Sequence, residues 1–465
     1  MDEFITISGS EYENLKRENS ELRIVVQQLK ATILSLQEEI SLLKGGTNSR
    51  TSSTAPSHDL GRSNSISLRH SSGRKSGGQP GHVGHSLSLS DIPDEVIHYH
   101  PTICEHCGEN LHDVASASFV RRQIVDIPPV FPIYTEHRSH LKTCPVCKFE
   151  NRGVFPYRLQ SPIQYGVSVE AMTGYLSIYQ SLPYKRICTL FQDFFGLNIS
   201  QGSINTFLEN LSQKSTSIYN SIRDQIRQSG VVGADETGCR VAGGKYWFHV
   251  WQTPLLTYIV AFASRGYKAI ETHFKDGFPA SVYVSDCWSA QLKVIAKAHQ
   301  LCMAHLLREV TNFAENLKSS WSAKMKELFK CAIELKKQMV ENDYLNPPKE
   351  ITQLNEKLDE LLAVDYSDFN RKEQAFIKRL NKHRQSIFTF LTNTNVPPDN
   401  NASERAIRNV KIKGKVSGQF RNKEGKGADR YAKIRSVVDT TIKNGQDVYA
   451  AFVALANCKI MEVPA

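Results

Sequence analysis

Leucine recurs at every seventh position near the start of the chain, at Leu15, Leu22, Leu29, Leu36 and Leu43. Tyr12, Asn19, Val26, Ile33 and Ile40 stand three residues before each. Leucine at d with mostly β-branched residues at a predicts a parallel two-stranded coiled coil, and the single Asn19 at an a position sets register and dimer state. At 1.5 Å per residue such a rod is about 48 Å long. An amphipathic helix packed on its own protein is the other reading, and five unbroken heptads ending at Gly45-Gly46 count against it. Large apolar groups then nearly vanish through residues 45–90. A Ser-, Gly-, Arg- and His-rich stretch of that kind buries too little surface to offset its ordering entropy, so it reads as a linker.

The apolar pattern resumes as strand-like stretches at residues 119–127 and 134–141, and turns helical from 167 to 211. Within the helical part, Pro183-Tyr184-Lys185-Arg186 leads into one helix. Gly196 marks a turn, and Ser200 is placed to cap a second helix containing Ser203. This is the pattern of a helix-turn-helix, and equally that of a plain helical hairpin. Strand signals follow at 231–234, 246–252, 256–263 and 281–285, with helical stretches at 268–274 and 289–298. Three strands, a helix, then a fourth strand ending in an acid is the order of a ribonuclease-H-like α/β core. Residues from about 311 to 392 are Lys/Glu-rich and helical, with one break at Pro347-Pro348, and read as an all-helical insertion. The predicted fold class is therefore multidomain α+β. A ribonuclease-H-like core with a helical insertion follows a coiled coil, a zinc ribbon and a helix-turn-helix.

Composition alters this picture in two places. Lys and Arg number 57 against 47 Asp and Glu, and residues 405–435 alone hold eleven basic and two acidic side chains. Nearly all the net charge of +10 is thus concentrated in one segment, which suggests a polyanionic partner or a solvated basic surface. No run approaches the roughly 18 apolar residues of a membrane span, and the start lacks a basic secretory n-region, so a cytoplasmic protein is expected. Four of the ten cysteines form two pairs, Cys104/Cys107 and Cys144/Cys147. Two CxxC knuckles supply four thiolates for one structural Zn²⁺, while the other six cysteines suit reduced core thiols.

Three acids carry the candidate chemistry. Asp235 and Asp286 end strand-like runs and Glu404 lies in the first turns of a helix. Carboxylates suit Mg²⁺ or Mn²⁺, and a pair of such ions stabilises both oxygens of an in-line phosphoryl transfer. Glu236 faces the other side of its strand from Asp235 and is set aside. Arg405, Arg408 and Lys411 follow Glu404 and are placed for phosphate contact; Arg74 and Lys75 in the linker, and Lys185, Arg186, Ser200 and Ser203 in the helical pair, are further candidates for DNA. Cys302 and His305 read as a core thiol and a hydrogen-bonded histidine, Trp247 and Trp251 as core, and Trp288 as packing or a base-stacking group.

In this order, the features resemble the transposases of the insertion-sequence sixty-six family, a bacterial group of DDE transposases. The likeness rests on Ser76-Gly77-Gly78-Gln79-Pro80-Gly81-His82, Gly233-Ala234-Asp235-Glu236-Thr237, Ser285-Asp286-Cys287-Trp288 and Asn401-Ala402-Ser403-Glu404-Arg405-Ala406-Ile407-Arg408. It implies Asp235, Asp286 and Glu404 as the DDE triad, and two small element-encoded accessory proteins as partners. A Trp that the family often has beside Cys302 is absent. Val396 and Asn400 stand where DDE enzymes frequently carry Tyr and Arg. The expected organisation is a coiled coil (1–44), basic linker (45–98), zinc domain (99–150) and helical DNA-binding region (160–228). A catalytic core (229–310 and 396–440) interrupted by the insertion (311–395) follows, then a C-terminal helix (441–465). The expected activity is cleavage and 3′-hydroxyl joining of double-stranded DNA by a zipper-paired dimer or larger assembly, at the nucleoid. A DNA-binding regulator with a silent core, or a nuclease that does not join strands, fits the same residues less fully.

Overall fold

The computed structural model describes residues 8–44, 81, 87–156, 159, 161–342, 344, 347–420 and 426–458. Linker residues Arg74 and Lys75, and the side chains of Ile33, Leu36, Ile40 and Leu43, lie outside them. The chain divides into two units, residues 61–133 with 194–196 in one and the rest in the other. Helix α1 (Gly9–Lys44) carries the heptads; its Leu15, Leu22 and Leu29 are exposed.

The smaller unit is held largely by turns. Ser90 ties it across sequence, its amide donating to Gln123 Oε1 and its carbonyl accepting from Gln123 Nε2. The strand expected at residues 119–127 does not form: Phe119, Val120, Ile124 and Ile127 are exposed, and no neighbouring segment pairs with them. The same holds for most of 134–141. Strands instead appear as the short hairpin β1 (Leu141–Thr143) and β2 (Glu150–Arg152) around the second CxxC. An apolar stretch makes a strand only where a partner offers its backbone.

The larger unit continues with α2 (Val167–Gly174, running on as a π-helical turn, Tyr175–Tyr179), α3 (Tyr184–Phe195), α4 (Gln201–Lys214) and α5 (Thr216–Arg227). Ser200 caps α4, its Oγ accepting from the Ser203 amide. The next elements are β3 (Val231–Val241), β4 (Gly244–Gln252), β5 (Thr257–Phe262), α6 (Tyr267–His273), β6 (Phe278–Ser285) and β7 (Ala296–Leu301). They form a mixed sheet in the order β5-β4-β3-β6-β7. β4 runs antiparallel to both β3 and β5, while β6 is parallel to both β3 and β7.

β7 corrects the sequence reading. Residues 289–298, expected to be helical, contain only a 3₁₀ turn (Gln291–Lys293) before the chain extends, and Ala298 pairs with Val282. A short apolar run does not distinguish helix from strand; an open edge of β6 decides it.

Directly after β7 comes α7 (Met303–Asn316), then α8 (Ser320–Glu341), α9 (Pro348–Leu362) and α10 (Arg371–Lys382). The helical run breaks more than once. Lys318 takes a left-handed φ of 53° between α7 and α8, and Asn370 caps α10. These helices share one apolar core with the inner residues Val282 and Val284 of β6. The chain then returns through α11 (Asn401–Ser417), α12 (Lys426–Lys443) and α13 (Val448–Asn457).

Helices cover both faces of the sheet. On one, Phe248 packs against Phe420 and Tyr431 of the α11–α12 region, while Val282 and Val284 meet α7. On the other, Trp251 and Tyr258 pack against His273 and Phe274 at the end of α6. Alternation along each strand sends successive side chains to these two covers.

Candidate active site

Gly233 of β3 pairs in register with Val284 of β6. Asp235 and Asp286 each lie two residues further on, so the two carboxylates stand side by side on one face just past the parallel pairing; β6 ends there, while β3, expected to end near Asp235, runs on to Val241. Both are half-buried. Burial pushes the Asp235 carboxyl well above the usual range, and the charges of Glu236, Asp286 and, least, Glu404 push it the same way. Only the Glu236 amide, 2.8 Å from Asp235 Oδ1, opposes them. Asp286 Oδ1 accepts from the Trp288 amide at 3.0 Å.

Glu404 reaches this face because α11 starts hard against β3. A Cβ on Gly233 would lie 2.5 Å from Gln252 Nε2 and 2.7 Å from Ser403 Oγ, so the close approach requires glycine. Asn400, just before α11, pins three segments together. Its Nδ2 donates to the Ala234 carbonyl (2.5 Å), its Oδ1 accepts from the Ser403 hydroxyl (2.5 Å), and its amide donates to Cys302 Sγ (3.2 Å). Asn400 therefore supports the scaffold, where the sequence had left its position unassigned.

On α7, Arg308 Nη2 lies 3.2 Å from Glu404 Oε1, and His305 Nε2 lies 3.7 Å from the same oxygen. Sequence reasoning read His305 as a hydrogen-bonded histidine near a core thiol and passed over Arg308. Their i, i+3 spacing on a helix was the available signal, but nothing local shows that this face meets Glu404. The three acids do not close into one tight ligand set. Among the described residues, the group whose ligand atoms all lie within 4.8 Å of one another is Cys302, His305 and Glu404. Cys302 is fully buried, and burial pushes its thiol up to about 12. The oxygen donors of Asp235, Asp286 and Glu404, together with the crowding of negative charge at Asp235, fit hard divalent cations.

Glu236 turns to the opposite face, as strand alternation requires. Its carboxylate is buried and matched, taking Arg265 Nη2 at 2.8 Å and Gln291 Nε2 at 2.6 Å. Gln291 in turn accepts from Tyr283, whose hydroxyl accepts from Trp251 Nε1. Arg265 stacks on Trp288 at 3.9 Å and on Trp247 at 5.0 Å, so Trp288 is a partly exposed lid on this ion pair. Trp251 is fully buried, whereas Trp247 is only half so.

The basic segment after Glu404 splits by direction. Arg405, Arg408 and Lys411 are exposed along α11. Lys413 is buried, which depresses its pKa to about 8, and it donates to the carbonyls of Ser177 and Leu182. Arg430 grips Asn205 and Glu209 of α4, and Arg435 pairs with Asp439. Part of the apparent polyanion-binding charge thus ties helices together. Lys185 and Arg186 are exposed at the start of α3, while the Ser200 and Ser203 hydroxyls bond each other at 3.0 Å across the cap.

The two CxxC turns share one local geometry. The Cys104 amide donates to the Glu109 carbonyl and the Gly108 amide to the Cys104 carbonyl; the Cys144 amide and Lys148 amide repeat this with Phe149 and Cys144. The residue after each second cysteine is left-handed, Gly108 at φ 75° and Lys148 at φ 62°. Hydrogen bonds from Cys107 and His106 lower the Cys104 pKa, and those from Cys147 and Val146 lower that of Cys144, as thiolate ligands require.

Two family models match the chain. The model for the Transposase IS66 family covers residues 162–428, more than half of the protein, and the zinc-finger binding domain of transposase IS66 covers residues 101–148. No curated protein matches the chain.

Proposed function

The chain belongs to the IS66 transposase family, and from that premise we propose that it is a DDE transposase that cuts DNA at the ends of an insertion sequence and joins the new 3′-hydroxyl to target DNA. The observation that carries this reading is the convergence of Asp235 and Asp286, from neighbouring parallel strands, with Glu404 from the helix crossing beside them. Sheet order β5-β4-β3-β6-β7, with the first three strands antiparallel, supports a ribonuclease-H-like core.

Asp235, Asp286 and Glu404 would hold two Mg²⁺ or Mn²⁺ ions, which when bound activate the attacking oxygen and stabilise the leaving one. The rest of the work belongs to the chain. The close approach at Gly233 and the Asn400 hydrogen bonds hold Glu404's helix against β3, and Arg405, Arg408 and Lys411 present positive charge to the phosphate backbone. Cys104, Cys107, Cys144 and Cys147 would hold one structural Zn²⁺, a reading supported by the zinc-finger match that spans them. The α3–α4 pair, through Lys185 and Arg186, serves as the helix-turn-helix, with Arg74 and Lys75 as linker contacts. The exposed Leu15, Leu22 and Leu29 pair two copies through a parallel coiled coil, so that two element ends are held together. No helix among the described residues is long and apolar enough to cross a membrane, which accords with action on DNA at the bacterial nucleoid.

One incubation tests the reaction. Purified protein, labelled element ends, a plasmid target and Mg²⁺ or Mn²⁺ are expected to give joined product. Nicking alone would mark a nuclease, and neither product would leave a DNA-binding regulator.

A further inference from the structure

Among the described residues, Glu404 alone of the three acids forms an ion pair. Arg308 Nη2 stands 3.2 Å from Glu404 Oε1, within hydrogen-bond reach, while His305 at 3.7 Å is beyond it. Among the described residues nothing donates to Oε2, and neither Asp235 nor Asp286 forms an ion pair. The one side chain among the described residues that holds Glu404 by a hydrogen bond therefore comes from α7. The ligand group that results, Cys302, His305 and Glu404, leaves the aspartates out.

A guanidinium in that place has two consequences. It repels an incoming divalent ion and competes for the same carboxylate. It is also a planar fork well matched to phosphate oxygens, and its side chain is 33 % exposed, open to an arriving strand.

Resting on the metal-site reading above, we propose that Arg308 is the stand-in cation of the DNA-free site: it holds Glu404 toward α7, and yields the carboxylate to the divalent ion when its guanidinium is drawn to a DNA phosphate. Arg308 is then a positioning residue before DNA binds and a phosphate contact afterwards. The metal site becomes complete only on its substrate, which limits cutting elsewhere.

The test is Mn²⁺ binding to the zinc-loaded full-length protein, followed by loss of the free-ion electron paramagnetic resonance signal, with and without a short duplex. Without DNA, Arg308→Gln should bind Mn²⁺ about five-fold more tightly than wild type, and the gap should close when duplex is added. Arg308→Lys keeps the charge and should stay near wild type, while Arg308→Gln combined with Glu404→Gln should lose the gain. Equal or weaker binding by Arg308→Gln with an unaltered thermal melt overturns the proposal, as does the same gain in Arg308→Lys. Should Arg308→Gln melt early, Arg308→Met carries the same expectation. If Glu404→Gln binds Mn²⁺ as wild type does, the metal-site reading itself falls. If Glu404→Gln binds more weakly but Arg308→Gln does not bind more tightly, only the role of Arg308 falls.

Discussion

Asp235 and Glu236 are consecutive residues on one strand, yet they occupy opposite electrostatic worlds. Glu236 points into a matched pocket of Arg265, Gln291 and Tyr283, roofed by Trp288 and Trp247. Asp235 stands beside Asp286 and feels Glu404, with one backbone amide as its only donor among the described residues. Both carboxyls are raised by burial and by the charge of Asp286, but on Glu236 Gln291 and Arg265 pull back, whereas on Asp235 only a backbone amide is seen to oppose the rise. A buried acid with its partners supplied supports the fold. A buried acid surrounded by other acids is unfavourable for the fold and fitted to a cation from outside.

The sharpest way to break the comparison is to neutralise each side. Asp235→Asn, Asp286→Asn or Glu404→Gln should each lower joined product roughly a thousand-fold while DNA binding in a gel shift is kept. Asp235→Asn should leave the metal-free melting temperature unchanged or higher, since it removes repulsion. Glu236→Gln should do the reverse. It leaves Arg265 without its buried partner, costing about 1–3 kcal/mol, with joining retained to within several-fold. Retained joining by Asp235→Asn, or a melt unaffected by Glu236→Gln, would erase the distinction between the two faces.

A second test uses histidine on the Glu236 face. His249 is buried, with Nε2 3.0 Å from the Ser264 carbonyl, and burial lowers its pKa to about 4. Its unfolded form takes up a proton near the ordinary value of 6.5, so the unfolded state binds more protons between about 6.5 and 4. His249 therefore contributes stability at neutral pH that is lost as pH falls through that window, on the order of 3 kcal/mol in all. His249→Gln should shrink the difference in melting temperature between pH 7 and pH 4.5. An undiminished difference would mean the imidazole is hydrated rather than buried.

The smallest expected effect comes from the contact that holds the acid face together. Gly233→Ala places a methyl against Gln252 and Ser403 and should cost about 1–3 kcal/mol, read by denaturant titration. Joining should fall further than stability alone explains, because the added Cβ displaces the helix of Glu404. A variant with wild-type stability and joining would show that α11 does not depend on this approach.

Much of the candidate site was legible in sequence because the relevant signals are local. Runs of Val and Ala before Asp235 and of Val and Tyr before Asp286 marked strands, and alternation separated Asp235 from Glu236. The Ser200 cap was readable for the same reason. β7 was not, since its stretch becomes a strand only beside the edge of β6. Nor were the strands at 119–127 and 134–141 rightly expected, where apolar residues found no partner.

By itself, the sequence determined where acids, thiols and heptads fall and which side of a strand or helix each occupies, because backbone periodicity depends on near neighbours alone. The tertiary structure decided which charges meet. It turned Lys413, Arg430 and Arg435 inward, gave Glu236 its arginine, and brought Arg308 to Glu404 from 96 residues away along the chain. Such encounters follow from how the elements close and pack, which no local pattern encodes. The three acids were visible as a set from the start; only the fold shows one of them already holding a cation of the protein's own.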